Sequence, residues 1–355
     1  MTSHASNAPD FPEIPGYRME EVLARGRNSS VYRAIRESTG EQTAVKVLHR
    51  EPAQNAQSCE IFLSEAEYAR KIKHESVPDY YASGETDEGL PWIALEYVDG
   101  STLDQFVGKR RELSPIRAVD LMLQACRGLD AAYRARIIHL DLKPANLILT
   151  QGGECIKITD FGLGREISKA PSEWMHTHKA RREGGEARKT LIGTPRYMSP
   201  EQALGAAVDH RSDIYSLGAT FYYVLTRRTP WEGLTDAELL EKQARTILTP
   251  IHELNPELPQ PLCDLIMDMM ERDPNERPQD YAELESRLEQ IKLQLHGRDR
   301  PVQVSEVFNA MQKDDSLTRS LLRLLKKRPG VFLAGCGLLI AFLLFMGSIV
   351  YTIWR

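Results

Sequence analysis

Residues 137–149 read IIHLDLKPANLIL, and residues 156–162 read IKITDFG. Each is an apolar run of β-like composition attached to a short polar cluster. The apolar residues need burial, so the loops that carry Asp141, Lys143, Asn146 and Asp160 must be exposed at strand ends. Asn146 follows Asp141 by five residues, and Asp160 follows Asn146 by fourteen. Asp141 can orient a hydroxyl group and accept its proton. Lys143 can neutralise developing negative charge, while the amide oxygen of Asn146 and the carboxylate of Asp160 are hard donors of the kind Mg²⁺ selects. Two ordinary turns would reach this order and spacing only by accident.

Upstream, residues 17–97 alternate short runs: YRMEEVLA, SVYRAI, TAVKVL, PDYYAS and LPWIALEY, with one helical stretch over 58–73. Five β-runs and one helix predict an antiparallel sheet with a single helix packed on it. Lys46 lies inside the third run, where the flanking valines bury and the ammonium is aimed; Glu65, on the helix, can pair with it. After Gly100 the texture becomes helical. Ser114 and Pro115 form a start signal, and Val119, Met122, Cys126, Leu129 and Tyr133 recur at helical spacing. Further helices are predicted at about 209–227, 235–246, 259–271 and 279–293. The fold class is therefore α+β, a small β lobe (17–98) joined to a larger helical lobe (99–294), with no internal repeat.

Phosphoryl transfer from ATP requires a cover over the phosphates, a cation beside them, oxygen ligands for Mg²⁺ and a carboxylate beside the nucleophile. Lys46, Glu65, HLDLKPAN and DFG supply these in order, and GTPRYMSPE follows at 193–201. On these motifs the chain resembles the protein serine/threonine kinases of the eukaryotic-like bacterial kind, from about residue 17 to 294. The resemblance implies a two-lobed kinase fold, ATP and Mg²⁺ as cofactors with Mn²⁺ as an alternative, and protein substrates that include the chain itself. It implies Asp141 as catalytic base with Lys143 beside it, Lys46 on the phosphates, and Asn146 and Asp160 on the metal. Leu95 would back the adenine pocket, and Glu96 and Val98 would offer backbone hydrogen bonds to the base. It further implies that Asp213 braces the catalytic loop and that Glu201 pairs with Arg277. Lys143 and Thr194 resemble the Ser/Thr-directed form of the motifs.

Two departures stand out. The phosphate-covering stretch, with a glycine pattern in the family, here runs Leu23, Ala24, Arg25, Gly26, Arg27, Asn28, Ser29, Ser30, Val31, with one glycine of three. Glycine permits positive φ and close approach, so Ala24 and Ser29 are expected to stiffen the loop and weaken ATP binding. Leu140 replaces the arginine that usually precedes the catalytic aspartate, and leucine cannot pair with a phosphate. Turnover without activation-segment phosphate is therefore expected, although Ser168, Ser172, Thr177 and Thr190 lie among basic residues in that segment.

The chain of 355 residues carries 45 Lys+Arg against 50 Asp+Glu, but the charge is uneven. Residues 316–355 hold six basic residues and no acidic one, which leaves 1–315 at −11. No basic stripe crosses the acidic part, so nucleic-acid binding is disfavoured. Five scattered cysteines without a CxxC pair predict buried free thiols in a reducing compartment. Residues 1–16 lack a signal-peptide core and are expected to be a disordered leader.

Residues 331–354 run 24 positions without a charge, about 36 Å as a helix. That predicts a transmembrane helix, followed only by Arg355. The basic flank of Arg319, Arg323, Lys326, Lys327 and Arg328 predicts a cytoplasmic N-terminal side. The expected arrangement is a single-pass, tail-anchored protein of the plasma membrane, with 295–330 as juxtamembrane linker. Leu317, Leu321, Leu324 and Leu325 share a helical face, so 316–328 either contacts anionic lipid or acts only as a stop-transfer flank. Gly337 and Ala341 leave a homodimer of spans open. Two rivals to an active protein kinase also stand: a pseudokinase scaffold, motivated by the degenerate glycine loop, and a small-molecule kinase on the same fold.

Overall fold

The computed structural model describes residues 11–109, 112–166, 195–231 and 248–299. The chain divides into two compact units, Met1–Lys292 and Leu293–Arg355, and of the second only 293–299 is described. The segments 235–246 and 331–354, and the phosphoacceptor candidates of the activation segment, lie outside the described residues. Among the described residues no helix is long and apolar enough to cross a membrane.

The small lobe contains β1 (Tyr17–Arg25), β2 (Ser29–Arg36), β3 (Gln42–Leu48), α1 (Arg50–Ala53), α2 (Ala56–Lys71), β4 (Tyr80–Glu85) and β5 (Pro91–Glu96). The five strands form one antiparallel sheet in the order β1-β2-β3-β5-β4. Strand alternation sorts the side chains onto two faces. Val45, Val47, Tyr32, Ala34, Trp92 and Ala94 form a cluster on one, with Ile14 and Tyr17 packed into it. Leu48 and Ile93 meet Phe62 and Ala66 of α2 on the other. Lys46 is in phase with Leu48, so the alternation that buries the valines turns its ammonium toward α2. That helix starts at Asn55, whose side chain accepts from the N–H groups of Gln57 and Ser58.

The large lobe follows with β6 (Gly100–Thr102), α3 (Leu103–Gly108), α4 (Pro115–Arg134), β7 (Ile137–Ile138), β8 (Leu147–Thr150), β9 (Ile156–Ile158) and β10 (Arg165–Glu166). Then come α5 (Pro200–Leu204), α6 (His210–Thr226), α7 (Ile251–Leu254), α8 (Gln260–Met269) and α9 (Tyr281–Asp299). Ser114 caps α4, and Pro115 occupies its first turn. Almost every residue of α6 is buried, which identifies it as the axis of this lobe. The strands β6, β8 and β9 form a small sheet that presents the two polar loops, and β7 pairs with β10.

The cysteine expectation needs correction. Cys126 and Cys263 are buried free thiols, but Cys59 is only partly buried and Cys155 is exposed. Cys155 lies in the turn between β8 and β9, where no helix or strand covers it.

Candidate active site

Lys46 is the centre of the charge network. Its Nζ donates to Oε1 and Oε2 of Glu65 at 2.8 and 2.6 Å and to Oδ1 of Asp160 at 2.9 Å. Burial alone would lower the Lys46 pKa, but the Glu65 and Asp160 carboxylates outweigh it and hold the pKa above its ordinary value. The Lys46 charge in turn outweighs burial at Asp160 and holds that carboxyl down, at about 2. Asp160 takes the left-handed conformation, φ 65°, and Gly162 beside it lies against two carboxylates. A Cβ there would meet Oε2 of Glu65 at 3.1 Å and Oδ1 of Asp160 at 3.2 Å.

Asp141 sits between two donors. Lys143 Nζ reaches its Oδ2 at 2.6 Å, and Asn146 Nδ2 donates to its carbonyl at 2.9 Å and to Oδ2 at 3.3 Å. The Asn146 carbonyl accepts from the N–H of Thr159 at 2.9 Å, which sets Asn146 beside the residue preceding Asp160. The loop is held from below by Asp213 on α6. Its carboxylate accepts the backbone N–H groups of His139 and Leu140 at 2.7 and 2.8 Å. Burial pushes the Asp213 carboxyl up, and these two backbone donors oppose that.

Comparison with known proteins gives a consistent answer. The family described as the protein kinase domain matches residues 17–288. A probable serine/threonine-protein kinase of Streptomyces coelicolor is 32% identical over 298 residues, 83% of this chain and 42% of that protein. The serine/threonine-protein kinase PknB of Mycobacterium tuberculosis is 32% identical over 288 residues, 80% of this chain and 44% of its own length. The chain belongs to the protein kinase family. It spans about two fifths of the length of these curated relatives.

In this kinase domain the remaining motif residues fall as follows. Glu201 and Arg277 form a bidentate pair at 2.8 Å, with the Arg277 side chain wholly buried. Burial raises the Glu201 pKa, but the Arg277 and Ser212 hydrogen bonds win and lower it. Leu95 borders the α2-facing cluster. The Glu96 N–H is already donated to the Asp79 carbonyl, so only its carbonyl can serve a ligand; its side chain is held by Lys157 at 2.6 Å. Val98 makes no backbone hydrogen bond among the described residues.

The stretch expected to cover the phosphates forms the β1–β2 hairpin. Leu23, Ala24 and Gly26 are exposed, Ser29 and Val31 are half-buried, and the Gly26 N–H donates to the Ser29 carbonyl at 2.8 Å. Val31 pairs with Lys46 across β2 and β3, so both belong to the cleft side of the sheet.

Three site residues carried no sequence signal that was read. His139 is fully buried; its Nδ1 accepts from the Asp141 N–H at 3.2 Å and its Nε2 donates to the Thr159 carbonyl at 3.1 Å. Gln202 Nε2 donates to the Leu140 carbonyl at 2.8 Å. His49, at the end of β3, bonds the hairpin. The His of HLDLKPAN was available as a signal, whereas Gln202 and His49 belong to no motif.

Proposed function

We propose that this kinase domain transfers the γ-phosphoryl group of ATP to serine and threonine hydroxyls of proteins, itself included. The observation that carries the reading is a pair of polar clusters linked by the bond from the Thr159 N–H to the Asn146 carbonyl. Lys46 is bonded to Glu65 and Asp160, and Asp141 to Lys143 and Asn146. The donor set fits Mg²⁺. Asn146 donates its Nδ2 to Asp141, and among the described residues its Oδ1 makes no hydrogen bond and Asp160 bonds Lys46 through Oδ1 alone. When bound, the ion supplies charge neutralisation to the phosphates.

The chain's own residues do the rest. Among the described residues Lys143 and Asn146 bond Oδ2 of Asp141 and none bonds Oδ1, the oxygen that in this reading accepts the proton of an incoming hydroxyl. Glu65 keeps Lys46 extended toward the phosphates. Support for the Ser/Thr direction comes from Lys143, Thr194 and the names of the relatives.

The proposal extends to the membrane. Residues 17–294 form the catalytic domain, 295–330 a linker, and 331–354 a single span of the plasma membrane with the kinase on the cytoplasmic side. The basic, leucine-faced stretch 316–328 contacts anionic lipid. The charge-free run of 331–354 and its basic flank support this.

The test uses the full chain in detergent with labelled ATP, Mg²⁺ and generic protein substrates. Label is expected on seryl and threonyl groups. Asp141→Asn should lower turnover by about 10²–10⁴-fold, and Lys46→Met should lower it comparably. The pseudokinase reading is favoured by the single glycine in the covering hairpin. Nucleotide binding without any transfer would establish that reading and overturn ours.

A further inference from the structure

We propose that His49 is a positioning residue that latches the phosphate-covering hairpin from the side away from the cleft. The inference rests on the nucleotide-binding role given to that hairpin above.

Among the described residues the hairpin tip is fixed by its own strand pairing and the Gly26–Ser29 bond, and outside itself by His49. Residues 23–28 are all exposed, so no apolar packing holds the tip in place. Yet Ser30, two residues beyond Asn28, is 1% exposed, and its Oγ lies 2.8 Å from Nε2 of His49. The other ring nitrogen, Nδ1, lies 3.2 Å from the Arg27 carbonyl. A carbonyl only accepts, so Nδ1 carries the proton and Nε2 accepts from the Ser30 hydroxyl. The His49 backbone N–H donates to the Asn28 carbonyl at 2.7 Å. One residue thus bonds three successive parts of the hairpin, and a single tautomer satisfies both ring contacts.

The strand register places the latch. Val31 is opposite Lys46, and Ser30 is opposite Val47. Val47 belongs to the cluster with Tyr32, Val45 and Trp92, on the face of the sheet opposite Lys46. Ser30 and the ring of His49 therefore meet on that outer face. His49 does not reach the phosphates; it sets where the hairpin backbone stands above them. It also ends the strand that carries Lys46, so the cover and the phosphate-contacting cation are referred to one strand.

The backbone bond survives replacement by alanine or glutamine, whereas alanine removes both ring bonds. Hydrogen bonds of this kind contribute about 1 kcal/mol each, so their loss is expected to weaken nucleotide binding by about three- to thirtyfold. In the full chain, His49→Ala should raise KM for ATP and the calorimetric Kd for the nucleotide by that factor. The KM of the protein substrate should hold, and the loss should fall on KM and not on kcat. Ser30→Ala, which removes one of the two ring bonds, should weaken ATP binding by a smaller factor, and the double variant should be little worse than His49→Ala alone. His49→Gln, whose amide reaches the Nε2 position, should recover part of the affinity.

Unchanged nucleotide Kd in both His49→Ala and Ser30→Ala would overturn the latch, as would an equal worsening of kcat and both KM values. If the unaltered chain transfers no phosphoryl group, the kinase reading fails separately, and the calorimetric comparison still decides the latch.

Discussion

The catalytic loop and the phosphate-covering hairpin border the same cleft but are fixed by different means. The loop is built on buried charge. Leu140 holds φ 61°, a conformation that costs a leucine about 1–2 kcal/mol. Two charge-assisted bonds from Asp213, at about 1.5–3 kcal/mol each, exceed that cost, and Gln202 adds a third contact through the Leu140 carbonyl. The hairpin has exposed residues at its tip and neutral bonds to His49. One wall of the cleft therefore has its geometry enforced, and the other only has it favoured. Where the proposed chemistry needs a carboxylate fixed in place, the protein uses buried ionic bracing; where a nucleotide must enter and leave, it uses neutral hydrogen bonds.

The largest break in this contrast should come from Asp213→Ala. It strips the acceptors from two buried N–H groups and leaves the Leu140 conformation unsupported. A loss of about 3–5 kcal/mol is expected, a large share of the about 5–15 kcal/mol that holds a typical domain folded. Urea unfolding should show the lowered midpoint, and turnover should fall further than in Asp213→Asn, which keeps one acceptor. Wild-type turnover in Asp213→Ala would mean that the loop holds itself.

The same contrast governs what the sequence could disclose. Asp141, Lys143 and Asn146 share eight residues of chain, so their juxtaposition is written in one motif. The five sheet strands were legible because each runs six or more residues, bounded by turns. The strands β7, β9 and β10 have two or three residues each, too few for a period to show. Gln202 meets Leu140 across 62 residues and His49 meets Ser30 across 19, and no pattern of residue types marks either pair. The bond from the Glu96 N–H to the Asp79 carbonyl joins segments 17 residues apart in the same way, and residue type alone does not reveal it.

A smaller effect should separate the two walls by pH. Lys46 holds the Asp160 carboxyl at about 2, against about 3.9 in an unfolded chain. This stabilisation is complete above about pH 4 and is lost as the pH falls toward 2. The Lys46 pKa is raised, so its own contribution is present at neutral pH and fades only above about pH 10. With 42% of the Asp160 side chain exposed, solvent screens the pair and keeps the effect modest. The difference in urea midpoint between the wild type and Lys46→Met should narrow between pH 5 and pH 2. A constant difference would remove the ion pair from the stability of the acid limb. The hairpin has no carboxylate from Leu23 to Val31 and should contribute nothing to it.

The smallest effect should come from restoring glycines to the hairpin. Ala24 and Ser29 both lie within strands, and neither has positive φ, so neither is strained by its side chain. The one glycine kept, Gly26, serves close approach instead: a Cβ there would meet the Ser29 carbonyl at 3.1 Å. Ala24→Gly with Ser29→Gly should cost about 1–2 kcal/mol of stability through added freedom of the unfolded and strand-end backbone. If His49 sets the height of the cover, ATP KM should move by less than about threefold, below the change expected for His49→Ala. A tenfold fall in KM would instead place the restriction in the Ala24 and Ser29 side chains, as the sequence suggested, and would make the hairpin wall as constrained as the catalytic one.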